Sequence, residues 1–262
     1  MSSKQAKRRR QGRPPPRSRN QAAAARREAS PRVLISAAVG IALLIVAGFG
    51  AFRLTSGSDA KPPPAGVALP GAADVERLLK GIPQSGNVLG SPTAPATLVE
   101  YVDLQCPYCQ QFETQVMPNV IDKYVRTGKL RVEIRVLAFI GADSVRGQSA
   151  AIAAGNQGKE FNFTQLLYGN QSGENTGWLS EDMVAAAAGS IPGLDVQQLQ
   201  SDRDSSAVKS TAKQYVSQAT ADKVSGTPTL LVGQTGSTLK TVSLQSPTDE
   251  QTLTDAIDAA LA

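Results

Sequence analysis

The sequence predicts an α/β fold in which a strand–helix–strand half and a strand–strand–helix half are split by a helical insertion. Three observations carry it. Two short runs of strand-forming residues bracket one helix-length segment. A long alanine-rich stretch follows them, and two further strand-like runs with an amphipathic segment close the chain.

Ala73–Lys80 reads as a short helix stopped by Gly81 and Pro83. Thr97–Asp103 (TLVEYVD) is short, mostly apolar and rich in strand formers, the pattern of a central strand. Gln105–Arg126 reads as a helix, with Pro107 near its first position, where a missing N–H costs nothing. Pro118 lies inside that helix and predicts a kink, because a hydrogen bond is lost there. Leu130–Leu137 (LRVEIRVL) alternates like a second strand, which should run parallel to the first through a right-handed crossover. From Asp143 to about Asp222 the pattern is helical, and Ser180 before Glu181 and Asp182 marks a helix start with acids in its first turn. Thr229–Val232 and Lys240–Leu244 read as strands. Thr248–Leu261 reads as a closing helix with apolar positions Leu253, Ile257 and Leu261. Asn162-Phe163-Thr164 and Asn170-Gln171-Ser172 fit the glycosylation sequon, and both are taken as chance matches.

The chain carries a net charge of +5, which suggests nucleic acid until the charge is divided along the sequence. Residues 1–32 hold 11 Lys or Arg against one acid, Glu28, whereas residues 53–262 hold 16 basic and 21 acidic residues. The basicity therefore belongs to the N-terminal tail. Val33–Phe52 has no charge, and as a helix it would reach about 30 Å, the thickness of a bilayer's hydrocarbon core. These features predict a single transmembrane helix at 33–52 holding the chain in the lipid bilayer, with 1–32 as a disordered cytoplasmic tail. Everything after Arg53 is then extracytoplasmic: a Pro/Gly/Ala-rich linker over 53–72 containing Pro62-Pro63-Pro64, and a folded domain over 73–262. A cleaved signal peptide competes, because Ala47, Gly48, Gly50 and Ala51 end the segment, but the apolar stretch exceeds a usual signal core. The Arg8-Arg9-Arg10 run is accounted for as a topology signal, so no nucleic-acid partner is inferred.

The chemistry is bounded by two counts, no histidine and two cysteines. Without histidine there is no Ser-His-Asp triad, Cys-His dyad or histidine-ligated metal. Cys106 and Cys109 cannot complete a four-cysteine zinc site, and so short a loop makes a poor structural staple. Two inert buried thiols are the remaining bland reading. Cys106-Pro107-Tyr108-Cys109 directly follows a strand and opens a helix, whose unpaired N–H groups favour a thiolate. Cys106, nearer the helix start and at the surface in this reading, is the better nucleophile; Cys109, one turn deeper, can resolve a mixed disulfide with it.

Val88-Leu89-Gly90-Ser91-Pro92-Thr93-Ala94-Pro95, followed by Glu100-Tyr101-Val102-Asp103-Leu104-Gln105 and the CPYC, resembles the DsbA-like thiol–disulfide oxidoreductases, in particular their membrane-anchored bacterial members. The resemblance runs from about Asp74 to the C-terminus. It implies a thioredoxin-like fold with a helical insertion, an extracytoplasmic location, and a redox-active Cys106–Cys109 disulfide in place of any cofactor or metal. Thr227-Pro228 matches the family's cis-proline loop, which lies against the cysteines, excludes a metal and presents the Thr227 backbone to a bound peptide. Glu100 matches the family's buried acid, a proton acceptor for the deeper thiol; an unburied carboxylate with no role is the alternative. The sequence departs from some oxidising relatives, which carry histidine between the cysteines, and Pro107-Tyr108 is the dipeptide of glutaredoxins, which reduce. Phe139, Ile140 and Trp178 suit either a hydrophobic substrate surface or the core, with the core the better fit.

The expectation is an enzyme that donates disulfides to unfolded or reduced exported proteins and is reoxidised by a membrane redox partner, a quinone-linked oxidase being one route for the electrons. Two alternatives stand beside it. One is a reductase or isomerase kept reduced from the membrane; the other is a non-catalytic module that binds peptides in the same groove.

Overall fold

The structure, a computed structural model, describes residues 67–262. The basic tail over 1–32, the apolar segment over 33–52 and the linker up to residue 66 lie outside the described residues. Among the described residues no helix is long and apolar enough to cross a membrane.

In chain order, α1 (Ala72–Leu79) precedes a hairpin of β1 (Gln84–Ser85) and β2 (Val88–Leu89). Strand β3 (Ala96–Asp103) leads into α2 (Pro107–Gln115), α3 (Met117–Val120) and a π-helical turn at Ile121–Val125, then β4 (Leu130–Leu137). Five helices form the insertion: α4 (Ala142–Gly155), α5 (Glu160–Gly169), α6 (Glu181–Gly189), α7 (Val196–Asp202) and α8 (Ser206–Ala221). β5 (Thr229–Gln234), β6 (Lys240–Val242) and α9 (Glu250–Leu261) complete the chain.

The six strands make one sheet in the order β1-β2-β4-β3-β5-β6. β3 sits near its centre and is buried at every residue, which explains its nearly unbroken apolar run. It pairs in parallel with β4 from Ala96↔Leu130 to Asp103↔Leu137 and antiparallel with β5 from Ala96↔Gln234 to Tyr101↔Thr229. β4 buries alternate residues, matching its alternating sequence. In the insertion, α5 is buried from Glu160 through Tyr168 and packs on α1, α2 and α4. Such all-round burial marks a helix in the interior of the domain. It brings Gln165 and Tyr168 to the region where β3 hands over to α2.

Several elements differ from the sequence-based expectation. The helix expected over Gln105–Arg126 starts at Pro107 and is broken at Val116 (φ −107, ψ −50), two residues before Pro118. Pro118 has no N–H to return to the carbonyl four residues earlier, so the axis changes there and the last turn widens into the π-helical segment. The β1–β2 hairpin had no counterpart in the sequence reading, since two-residue strands show no periodicity. β6 stops at Val242 rather than Leu244, and α9 begins at Glu250 because the Asp249 side chain caps it at Thr252 N. Ser180 caps α6 through Met183 N, as its position predicted. Asn162 is buried and accepts a hydrogen bond from Gln84 Nε2, which leaves no room for a glycan.

Gly90 joins the hairpin to the approach of β3 with φ +106, and a Cβ there would sit 2.9 Å from the Leu130 carbonyl oxygen. Backbone cannot move aside as a flexible side chain can. Gly90→Ala should therefore destabilise the domain by about 1–3 kcal/mol, read as a lower urea midpoint with an unchanged denaturant slope.

Candidate active site

The site grows from the end of β3. Asp103 is buried, and its carboxylate accepts four hydrogen bonds: from Gln105 N at 2.9 Å and Ser144 Oγ at 2.7 Å on one oxygen, and from Phe139 N at 2.7 Å and Ile140 N at 3.1 Å on the other. Its carbonyl accepts from Cys106 N at 3.0 Å and from the Tyr168 hydroxyl at 3.2 Å. The turn from β3 into α2 is thereby tied to the segment after β4, to α4 and to α5. Gln171 Nε2 donates to the carbonyls of Leu104 at 2.7 Å and Cys106 at 3.2 Å, so this buried loop satisfies its polar groups from the insertion.

Cys106 occupies the N-cap of α2 in extended geometry, and its sulfur accepts from Cys109 N at 3.4 Å. Pro107 follows at the first helical position. The thiols of Cys106 and Cys109 are unbridged. Cys106 is only 5% exposed, whereas the sequence reading put it at the surface. The cover comes from the loop before β5: Cys106 Sγ donates to the Thr227 carbonyl at 3.2 Å, and the Thr227–Pro228 peptide bond is cis. Tyr108 points outward, 59% exposed, at the rim of a cleft of about 350 Å³ lined also by Pro228, Leu230, Thr241, Leu244 and Pro247.

The two thiols are perturbed in opposite directions. Cys106 is lowered to about 6, first by its hydrogen bond with Cys109; bonds from the Thr227 side chain and from the N–H groups of Cys109 and Tyr108 add to this and outweigh burial. Cys109 is fully buried, and burial pushes its thiol well up, reinforced by the hydrogen bond and the charge of Cys106. A thiolate is therefore held at Cys106 while Cys109 keeps its proton.

Glu100 lies fully buried in the middle of β3, and neither carboxyl oxygen has a donor among the described residues. Burial raises its acid range, and the Glu113 carboxyl, in hydrogen-bonding reach, raises it further. Glu113 was missed by the sequence reading. A usable signal existed: it stands four residues after Cys109, which puts both on one side of α2. Asp103 and Gln171 were missed too, since their partners are distant in sequence. Of the three apolar residues considered for a surface, Trp178 is buried and Ile140 half-buried, whereas Phe139 is 52% exposed beside the Asp103-bound loop. Among the described residues no group of three or more Cys, Asp or Glu side chains is placed to hold a metal ion.

Two outcomes follow for the reduced protein. Alkylation of Cys106 should be half-maximal near pH 6 rather than near 9, measured as the rate of iodoacetamide modification. Because the folded thiol ionises below the unfolded one, its contribution to stability is complete above about pH 9 and is lost as pH falls through about 6. The oxidised protein lacks this term. The stability difference, reduced minus oxidised, should rise with pH between those limits by up to roughly 1.4 kcal/mol per pH unit, measured by urea unfolding.

Residues 84–259 match the family model described as thioredoxin. A probable disulfide bond formation protein D of Bacillus cereus is 31% identical over 147 residues, covering 55% of this chain and 68% of that protein. Among solved structures, oxidised BdbD from Bacillus subtilis superposes with a TM-score of 0.59 at 20% identity, covering 68% of this chain and 96% of the other. A thioredoxin-like oxidoreductase from Silicibacter pomeroyi superposes with a TM-score of 0.54 at 29% identity, covering 71% of this chain and 96% of the other. With its helical insertion between the βαβ and ββα halves and its cysteine pair at the head of α2, the chain belongs to the DsbA-like thiol–disulfide oxidoreductases of the thioredoxin family.

Proposed function

We propose that this protein is a membrane-tethered, extracytoplasmic disulfide donor for exported proteins. The observation that carries the direction is the opposite perturbation of the two thiols. A Cys106 thiolate stabilised by hydrogen bonds lowers the free energy of the reduced state, which makes the disulfide state the stronger oxidant. The names of the Bacillus relatives support the same direction.

In this reading a substrate thiolate attacks Cys106 Sγ of the oxidised pair. The Cys106–Cys109 bond breaks, its electrons leave with Cys109, and Cys109 takes up a proton, for which Glu100 is the acid–base group. A second substrate thiolate then attacks the substrate sulfur of the mixed disulfide, and Cys106 leaves as the thiolate its surroundings favour. The substrate gains a disulfide and the enzyme holds two electrons. The Thr227 backbone, Pro228, Pro107 and Tyr108 form the surface on which the peptide lies. A membrane redox partner, quinone-linked in this proposal, removes the electrons. Residues 33–52 anchor the chain in the bilayer with residues 1–32 in the cytoplasm.

The Pro107-Tyr108 dipeptide favours a second reading, a reductase or isomerase. The cellular redox state separates the two. The donor reading predicts a mainly oxidised Cys106–Cys109 pair on acid-quenched thiol trapping, and a steady-state dithiol would overturn it. Cys109→Ala should accumulate mixed disulfides through Cys106 to exported proteins in the membrane fraction. Cys106→Ser should bring disulfide transfer down to background. Transfer that survives Cys106→Ser would overturn exchange at Cys106, and a cellular function left intact once transfer is lost would leave only the peptide-binding module.

A further inference from the structure

The loop that covers Cys106 runs from the end of α8 to the start of β5, and one residue of β3 holds both of its ends. Tyr101 is the sheet partner of Thr229, the residue after Pro228, and on its other side it is the partner of Arg135. Side chains alternate along a strand, so Tyr101 points to the face opposite that of Glu100 and meets the end of α8 there. Its hydroxyl donates to Asp222 Oδ2 at 2.6 Å, and Asp222 is the C-cap of α8. Arg135 donates from Nη1 to the Tyr101 hydroxyl and to Asp222 Oδ2 at 3.4 Å, and from Nη2 to Glu133 Oε2 at 3.2 Å. The hydroxyl thus accepts from a guanidinium and donates to a carboxylate, both charge-assisted bonds. Tyr101 is fully buried. Burial, with the Asp222 bond next, pushes its hydroxyl up to about 12, so it keeps the proton it donates.

The segment between these ends leaves α8 without glycine. Lys223 takes φ +58, a left-handed conformation, and the helix closes with Lys223 N to Thr220 O at 3.2 Å and Val224 N to Ala219 O at 2.8 Å. Ser225 and Gly226 are exposed, and Thr229 Oγ1 donates back to the Gly226 carbonyl at 2.7 Å. Thr227 then meets the site, where its carbonyl accepts from Cys106 Sγ at 3.2 Å. The place of Thr227 is therefore set by where Asp222 and Thr229 are held, and Tyr101 holds the first by its side chain and the second by its backbone.

We propose that Tyr101, Arg135 and Asp222 are positioning residues of the reaction, a clamp on the α8 face of the sheet that fixes Thr227 and Pro228 over Cys106 and so governs peptide binding at the thiol pair. The inference rests on the thiol-exchange reading above and adds these three side chains to it. The clamp makes and breaks no bond in the exchange; it acts through distance. Releasing Asp222 frees the end of α8, and Thr227, five residues on, moves with it. The peptide then loses the backbone it lies on, and the Cys106 thiolate loses its bond from the Thr227 side chain. Arg135 keeps its bond to Glu133 when Asp222 is gone, so its charge is not left buried alone.

The test is single-turnover oxidation of a reduced, unstructured peptide with two cysteines by the oxidised full chain, over a range of peptide concentration. Dithiothreitol, which needs no peptide surface, is the parallel reductant. Tyr101→Phe keeps the ring and removes the hydroxyl; Asp222→Ala removes its acceptor. Each should raise the half-saturating peptide concentration about tenfold, the effect of one ordinary hydrogen bond on a binding constant, with the limiting rate little changed and a smaller loss with dithiothreitol. The double variant should be no weaker than either single one, because both break the same contact. In the reduced protein each should move half-maximal alkylation of Cys106 upward from about pH 6. Asp222→Asn still accepts from the Tyr101 hydroxyl and should behave as wild type; if it is as weak as Asp222→Ala, the clamp is overturned. Wild-type saturation and alkylation in both single variants, with only a lower urea midpoint, would also overturn it and leave a structural ion pair, thiol exchange intact. Asp222 is half-buried at the end of a helix, so Asp222→Ala carries the test should Tyr101→Phe fail to fold. Failure of the oxidised wild type to react with either thiol would remove the exchange reading itself.

Discussion

A sulfur atom can fill the N-cap of a helix only if the chain arrives extended, turns at once, and leaves the cap facing the third helical N–H. In this protein that contact, Cys109 N–H to Cys106 Sγ, sets terms for everything around it. β3 must end at Asp103 so that three residues later the chain can cap α2. Pro107 must follow, where its missing N–H removes a donor the helix would not have used. The short loop between is held by a carboxylate with four donors and by Gln171 from the insertion. The helical insertion thus does more than enlarge the domain. It supplies the polar partners that let a buried, irregular loop persist beside a sheet.

Burial acts on both sulfurs and on both carboxyls, always against the charged form, so the differences among them come from hydrogen bonds. At Cys106 the bonds win and the thiol falls to about 6. At Cys109, and at Glu100 and Glu113, burial wins and the neutral form is favoured. A thiol-exchange site needs this inequality. One sulfur must be a good leaving group, and the other must be reluctant to remain an anion once the bond has opened.

Much of this was legible in the sequence, and the rest failed for identifiable reasons. β3 and β4 were readable because one is buried on both faces and the other alternates. The CPYC was readable because strand-then-helix placement has a chemical meaning on its own. The burial of Cys106 was not, since its cover is Thr227, 121 residues away, and local sequence says nothing of what folds back over a helix terminus. Asp103 looked like an ordinary acid at a strand end, because its donors at 139, 140 and 144 belong to another segment. Glu113 had a local signal, its spacing from Cys109, but an acid on a helix usually faces water. Only the depth of α5 against α2 makes it a buried one.

The missing histidine gains a physical meaning from these contacts. A histidine between the cysteines would be a cation whose charge fades as pH passes its own range, so the stability of the thiolate would vary with it. Here the donors to Cys106 are backbone and neutral groups that do not titrate between the acid range of the thiol and alkaline pH. The position that a histidine would take holds Tyr108, turned outward at the rim of the Pro228 cleft rather than toward the sulfur. Holding the thiolate and facing solvent are thereby assigned to different atoms: the head of α2 and the Thr227 loop do the first, and the exposed ring does the second. A change at Tyr108 leaves every hydrogen bond to Cys106 Sγ in place apart from that of its own backbone N–H, which any residue but proline provides.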